Sequence, residues 1–179
     1  MNTSNSHTAE LLCDRRKVLV TGGAGFIGGA VVRRLLTESS AKVYNLDKMG
    51  YASDLTSIEN ILKKGCNSER YKLFKVDLTD AETTTQVINE ANPDLIIHLA
   101  AESHVDRSIN GPKEFIDSNI IGTYNILEAT RKYYEKLSIE RKNKFRFLHV
   151  STDEVFGSIT GQGLFSENSP YSPRSPYSA

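Results

Sequence analysis

The 179-residue chain balances 22 Lys and Arg against 22 Asp and Glu, for a formal net charge of zero, with no long run of one sign. That balance excludes the electrostatic footprint of a nucleic-acid or anionic-membrane binder, and no apolar stretch approaches the roughly 20 residues of a membrane span. The length suits one domain with a sizeable core, or the larger part of a two-domain protein. Cys13 and Cys66 are the only cysteines, and neither has a partner at metal-ligand or redox-motif spacing. No metal site is expected, and a reduced, cytoplasmic setting is the default. Met1 to Glu10 are polar and lack the apolar core of a signal peptide, so residues 1–16 read as a flexible leader before the first strand.

The first element is a short apolar strand, Val18-Leu19-Val20, which runs through Thr21 into Gly22-Gly23-Ala24-Gly25-Phe26-Ile27-Gly28. Glycine recurs at every third position, Gly22, Gly25 and Gly28, and the same residues also read as G-x-G-x-x-G from Gly23. Such a turn needs backbone angles that side chains forbid, bare backbone for a pyrophosphate to approach, and close packing of helix on strand. The following helix would face the phosphates with its free N–H groups and positive dipole end. Its apolar pattern is Ile27, Val31 and Leu35, with Ala30 and Val32 beside them.

A second strand, Lys42 to Leu46, ends in Asp47, about 20 positions after the last glycine, where a ribose hydroxyl pair is gripped. The carboxylate of Asp47 accepts from hydroxyls and repels an extra phosphate, which favours NAD over NADP. Lys48 next to it weakens that inference, because a cation there tolerates a phosphate.

Beyond this, a helix is expected near residues 54–63, a strand from Tyr71 to Val76 closed by Asp77, and a helix capped by Asp80 that runs to about Ala91. Asn92-Pro93 stops it. Residues 94–100 form a fourth strand whose Leu95, Ile96, Ile97 and Leu99 are apolar without alternation, as burial on both faces requires. A long helical pattern follows from Pro112 to Leu137, apolar at Phe115, Ile116, Ile120, Tyr124, Leu127 and Tyr134. Phe145 to Val150 makes a fifth strand, and the Gly-, Ser- and Pro-rich tail from Ser158 reads as loop.

Alternating strands and helices predict an α/β fold, a doubly wound parallel sheet of Rossmann type with strand order 3-2-1-4-5. The ligand crevice then lies at the carboxyl ends of strands one and four. Asp47, Asp77, Glu102 to Ser108 and Thr152 to Glu154 all fall at those ends. Without further context, Asp153-Glu154 reads as a helix-capping or solvated acidic pair.

His98-Leu99-Ala100-Ala101-Glu102-Ser103-His104-Val105-Asp106-Arg107-Ser108, Ser151-Thr152-Asp153-Glu154-Val155-Phe156-Gly157 and Ser175-Pro176-Tyr177-Ser178-Ala179 together resemble the extended short-chain dehydrogenase/reductase family, and within it the dTDP-glucose 4,6-dehydratases. The likeness runs from about Lys17 to the last residue. It implies NAD as cofactor and a nucleotide sugar, dTDP-glucose, as substrate. The implied reaction oxidises sugar carbon 4, eliminates water across carbons 5 and 6, and returns hydride to carbon 6.

By the same resemblance Tyr177 is the base on the carbon 4 hydroxyl and also meets the cofactor; a phenol needs nearby positive charge for that work near neutrality. Thr152 hydrogen-bonds the sugar oxygen, Asp153 protonates the leaving hydroxyl, and Glu154 removes the carbon 5 proton. Adjacent carboxyls take opposite roles only where their environments separate their proton affinities. Cofactor contact is implied for Phe26, Ile27, Asp47 and Lys48 besides the glycines, for Asp77 at the adenine amino group, and for Leu78, Leu99, Ala100, Ala101 and Ser118. Ser103 is implied as a substrate contact. His104 is a loop histidine or a substrate ligand, and Arg107 pairs with Asp106 or meets a phosphate.

The family also pairs its long helix across a dimer axis, so a homodimer is expected, with the Tyr133-Tyr134 pair as a contact. The family's tyrosine is followed four positions later by a lysine, and here Ala179 stands two residues after Tyr177. The chain is therefore expected to be an N-terminal NAD-binding portion, residues 17–179, that lacks its substrate domain. Alone, it would be inactive and prone to associate along its fifth strand. A nucleotide-sugar epimerase, and a non-catalytic cofactor-binding fragment, are the alternative readings.

Overall fold

The computed structural model describes residues 17–65, 68–159, 161 and 163–179. The expected leader, and both cysteines, lie outside the described residues. Five strands, β1 (Lys17–Thr21), β2 (Lys42–Asp47), β3 (Tyr71–Lys75), β4 (Leu95–His98) and β5 (Arg146–His149), form one parallel sheet in the order β3-β2-β1-β4-β5. Val20 pairs with Asn45 on one side and Ile97 on the other, and Ile97 with Leu148. The chain reverses its winding between β1 and β4, which opens the crevice where the sequence predicts it.

Successive strand side chains point to opposite faces, and both faces are covered. Val18, Val20, Val43 and Ile97 pack under helix α1 (Phe26–Glu38) and helix α2 (Thr56–Lys63) through Val32, Leu35, Leu36 and Ile58. Leu19, Tyr44, Leu46 and Ile96 pack on the other face against helix α3 (Ala81–Ala91) and the later helices. The α1 face differs from the expected one. Gly28, Gly29, Val32, Leu35 and Leu36 are buried, while Ile27 and Ala30 face solvent. The stripe is turned because the glycines let the helix start lie directly on β1.

Helix α3 begins and ends as expected. The Asp80 carboxylate accepts from Thr83 N, and Asn92 takes the left-handed conformation at φ 46° before Pro93. Two expectations change. The polar run read as loop from Glu102 folds from Val105 onward into helix α4 (Val105–Asn110). The long helix has three registers: α5 (Pro112–Phe115), a π-helical segment (Ile116–Gly122) and α6 (Thr123–Glu135).

Helix α6 covers the sheet with Ile126, Ala129 and Tyr133, whereas Ile116, Ile120, Tyr124 and Leu127 are exposed along one stripe. Tyr133 is not available to a partner. Its single hydroxyl proton is shared between Asn92 Oδ1 and the Pro93 carbonyl, both at 2.8 Å, and its oxygen accepts from Arg141 of helix α7 (Ile139–Lys144) at 2.9 Å. β5 stands at the sheet edge with Leu148 and Val150 exposed. Among the described residues, no helix is long and apolar enough to cross a membrane.

Candidate active site

The glycine turn separates steric need from ligand need. Gly22 has φ +68°, and a Cβ there would stand 2.7 Å from Ala100 Cα; one on Gly28 would stand 2.1 Å from the Gly22 carbonyl oxygen. Neither position has room for a side chain. Gly25 differs: its φ of −78° suits any residue, and a Cβ would meet only the Gly22 oxygen at 3.3 Å. The space over Gly25 opens at the N-terminus of α1, which has no side-chain cap and no acid in its first turn. Phe26, 94% exposed, and Ile27 flank that opening. Bare backbone and an uncapped helix start with no acid in its first turn fit a dinucleotide pyrophosphate.

At the end of β2, buried Asp47 accepts hydrogen bonds from Ala24 N at Oδ2 (3.0 Å) and from Met49 N and Ser53 Oγ at Oδ1 (both 2.8 Å). A carboxylate offers about four acceptor sites, so room for a ribose hydroxyl remains at Oδ2. Lys48 Nζ donates to Glu102 Oε1 at 2.7 Å and to Ser118 Oγ at 3.2 Å. Burial works against that ammonium's charge, but the hydrogen bond and charge of Glu102, backed by Asp77 and Glu114, hold its pKa above the ordinary lysine value.

Asp77 Oδ1 accepts from Thr79 N and Thr79 Oγ1, its second oxygen meets no donor among the described residues, and Leu78 is buried beside it. These groups surround a cavity of about 320 Å³ that Lys48, Asp77, Glu102, Arg107 and Ser118 help to line. Arg107 does not pair with Asp106. Its guanidinium lies 4.0 Å over the Tyr51 ring and contacts Glu114 at 3.5 Å. His104 is exposed at the start of α4, and Ser103 and Ala101 are exposed before it.

Beneath the crevice lies a buried relay that the sequence does not announce. Thr21 Oγ1 accepts from Leu99 N and Ala100 N, both at 3.2 Å, so its own proton goes to His98 Nδ1 at 2.6 Å. His98 then carries its proton on Nε2 and donates to Thr123 Oγ1 at 3.1 Å. Burial, with the neighbouring His149, pushes the His98 pKa down to about 4. The relay fixes the backbone at Leu99-Ala100, where the strand meets the crevice. Its one sequence signal is a lone polar residue in an unbroken apolar strand. Asn119 also joins the site unannounced, clasping the backbone of Glu102, which the sequence places at the crevice without a partner.

The second group sits after β5. Thr152 caps a one-turn 3₁₀ helix (Asp153–Phe156), its Oγ1 accepting from Glu154 N at 3.2 Å and donating to Asp153 Oδ1 at 3.4 Å. Asp153 and Glu154 are exposed and have no ion-pair partner among the described residues. Ser172 N donates to the Val155 carbonyl at 2.9 Å and Tyr171 stacks on Phe156, which ties the segment leading to Tyr177 to this turn. Tyr177 is half-buried in a turn where the Ser175 carbonyl accepts from Ser178 N and Ala179 N. No hydrogen bond joins Tyr177 to Thr152, Asp153 or Glu154 among the described residues.

The family model described as GDP-mannose 4,6 dehydratase matches residues 19–179. A dTDP-glucose 4,6-dehydratase of Escherichia coli is 50% identical over 172 residues, covering 91% of this chain and 46% of its own length. The crystal structure of the dTDP-glucose 4,6-dehydratase of Streptomyces venezuelae, with NAD bound, superposes with a TM-score of 0.74 at 37% identity, over 90% of this chain and 47% of the other. A UDP-glucose 4-epimerase of Thermus thermophilus in complex with NAD gives 0.72 at 31% identity, over 90% of this chain and 46% of the other. The chain spans less than half the length of the curated relatives it matches. The glycine cradle, the sheet order and the matched span lead to one conclusion: the chain belongs to the GDP-mannose 4,6 dehydratase family.

Proposed function

We propose that the protein is an NAD-dependent dTDP-glucose 4,6-dehydratase, acting in the cytoplasm, whose residues 17–179 form the cofactor-binding part. The observation that carries the reading is Gly25, where a Cβ would meet only the Gly22 oxygen, closely but at a permitted φ, at the mouth of an uncapped helix. The relatives' names favour dTDP-glucose as the substrate, and the Thr152-Asp153-Glu154 turn favours elimination over epimerisation, which needs no such acid pair.

Bound NAD would supply a reversible hydride acceptor. The cradle at Gly22, Gly25 and Gly28 would hold its pyrophosphate, Asp47 a ribose, and Asp77 with Leu78 the adenine. Leu99, Ala100 and Ala101 would form the floor, and Lys48 and Ser118 one wall. Tyr177 would take the proton from the carbon 4 hydroxyl while Thr152 hydrogen-bonds that oxygen and Ser103 holds the substrate. Glu154 would take the carbon 5 proton and Asp153 give a proton to the departing hydroxyl, so that water leaves. The exposed Ile116, Ile120, Tyr124 and Leu127 stripe supports a homodimer through this helix.

Turnover of dTDP-glucose by purified protein, assayed together with any coding sequence that continues after Ala179, tests the reading. Formation of the 4-keto-6-deoxy product supports it, and carbon 4 epimerisation without loss of water overturns it.

A further inference from the structure

Two cations line the cavity beyond β2, and both are spent on carboxylates. Lys48 is held by Glu102 at 2.7 Å and Arg107 by Glu114 at 3.5 Å, while Asp77 and Asp117 line the same space. Lys48 follows directly on Asp47, and its ammonium lines the cavity beside the place proposed for the ribose. A lysine left free there would be a ready phosphate partner as a point charge. Asp47 by itself is a muted barrier, because three donors already neutralise part of its charge.

Glu102 is built to stay in place. Its side chain is only 11% exposed. Its N–H donates to Asn119 Oδ1 at 2.8 Å, and its carbonyl accepts from Asn119 Nδ2 at 2.9 Å. Ser118, the preceding residue, accepts from Lys48. Two consecutive side chains of the π-helical segment therefore hold the two halves of one ion pair. Such segments recur at functional sites.

We infer that Glu102 sets the choice of dinucleotide: by neutralising Lys48 it leaves the crevice open to a ribose with two hydroxyls and closed to a 2′-phosphate. This rests on the NAD reading above. The conventional determinant, the acid at the end of β2, is thus one half of a device whose other half, Glu102, lies in the loop after β4, 54 positions beyond the Lys48 it neutralises.

Equilibrium titration with NAD and with NADP at low salt tests it, on wild type, Glu102→Gln, Lys48→Met and the double variant. Gln keeps an acceptor for Lys48 and leaves the backbone clasp to Asn119 intact, and circular dichroism checks the fold. In Glu102→Gln, NADP is expected to bind at least about tenfold tighter relative to NAD than in wild type. The double variant is expected to lose that gain. Lys48→Met alone leaves Glu102 uncompensated and is expected to weaken NADP further, which decides the matter should Glu102→Gln not fold. An unchanged NAD-to-NADP ratio in Glu102→Gln, or a gain that survives in the double variant, overturns the inference while the cofactor reading stands. Wild type that binds neither nucleotide removes the cofactor reading, and this inference with it.

Discussion

Gly28 lies so close beneath Gly22 that a Cβ on the first would stand 2.1 Å from the carbonyl oxygen of the second. The obstacle is backbone, which cannot step aside. Gly28→Ala is therefore expected to cost more than about 3 kcal/mol, above the usual range for overpacking. Gly25→Ala, at a permitted φ, is expected to change stability by no more than about 1 kcal/mol. It should still weaken NAD at least about tenfold, since its methyl occupies the approach of the pyrophosphate. Urea unfolding and NAD titration on both variants separate the two needs. Full NAD affinity in a folded Gly25→Ala protein would show that the cradle holds no ligand.

Buried His98 makes stability depend on acidity. The folded state holds it neutral with a pKa of about 4, against 6.5 for the exposed side chain. Between those values the unfolded chain binds the extra proton. Its contribution is thus complete above pH 6.5 and declines as the pH falls toward 4, by about 3 kcal/mol in all. Denaturant unfolding from pH 7.5 to 4.5 should show this slope, and His98→Gln should lack that part of it. Equal slopes in the two proteins would refute the neutral relay.

Asp153→Asn and Glu154→Gln test the elimination step. Loss of a general acid or base typically slows a step by about 10²–10⁴-fold. Both side chains are exposed and Thr152 caps the turn by itself, so folding and NAD binding are expected to persist. Rapid-mixing absorbance should then show reduced cofactor accumulating before water is lost. Wild-type turnover in both variants would reduce the pair to a capped acidic turn.

The exposed stripe on the long helix predicts the oligomer. Ile120→Glu combined with Tyr124→Glu places two carboxylates on it and touches no core residue. A dimer built there should become a monomer in analytical ultracentrifugation with little change in melting temperature. A wild-type monomer, or an unchanged dimer in the variant, would place any assembly elsewhere.

Thr84 and Thr130 carry buried hydroxyls with no hydrogen-bond partner among the described residues. Replacing an unsatisfied hydroxyl with a methyl of the same shape removes a desolvation cost, so Thr84→Val and Thr130→Val are each expected to stabilise by about 1 kcal/mol. A loss of stability in both would mean that each hydroxyl is satisfied.

Much of the fold was determined by the sequence alone, because its signals are local. The glycine spacing dictates a turn whose sterics involve residues six apart, Asp80 and Asn92 mark a helix by their own backbone chemistry, and the unbroken apolar β4 demands a sheet covered on both faces. Tertiary structure alone decided which helix faces are buried, and so showed Tyr133 anchored to Asn92 rather than free for a partner. It also decided that Lys48 meets Glu102 and that Thr21, His98 and Thr123 form a chain, across 54, 77 and 25 positions. Those contacts exist because parallel register brings the carboxyl ends of β1, β2 and β4 to one edge and the π-helical segment carries side chains to meet them. No local pattern encodes a distance set by the packing of the whole sheet.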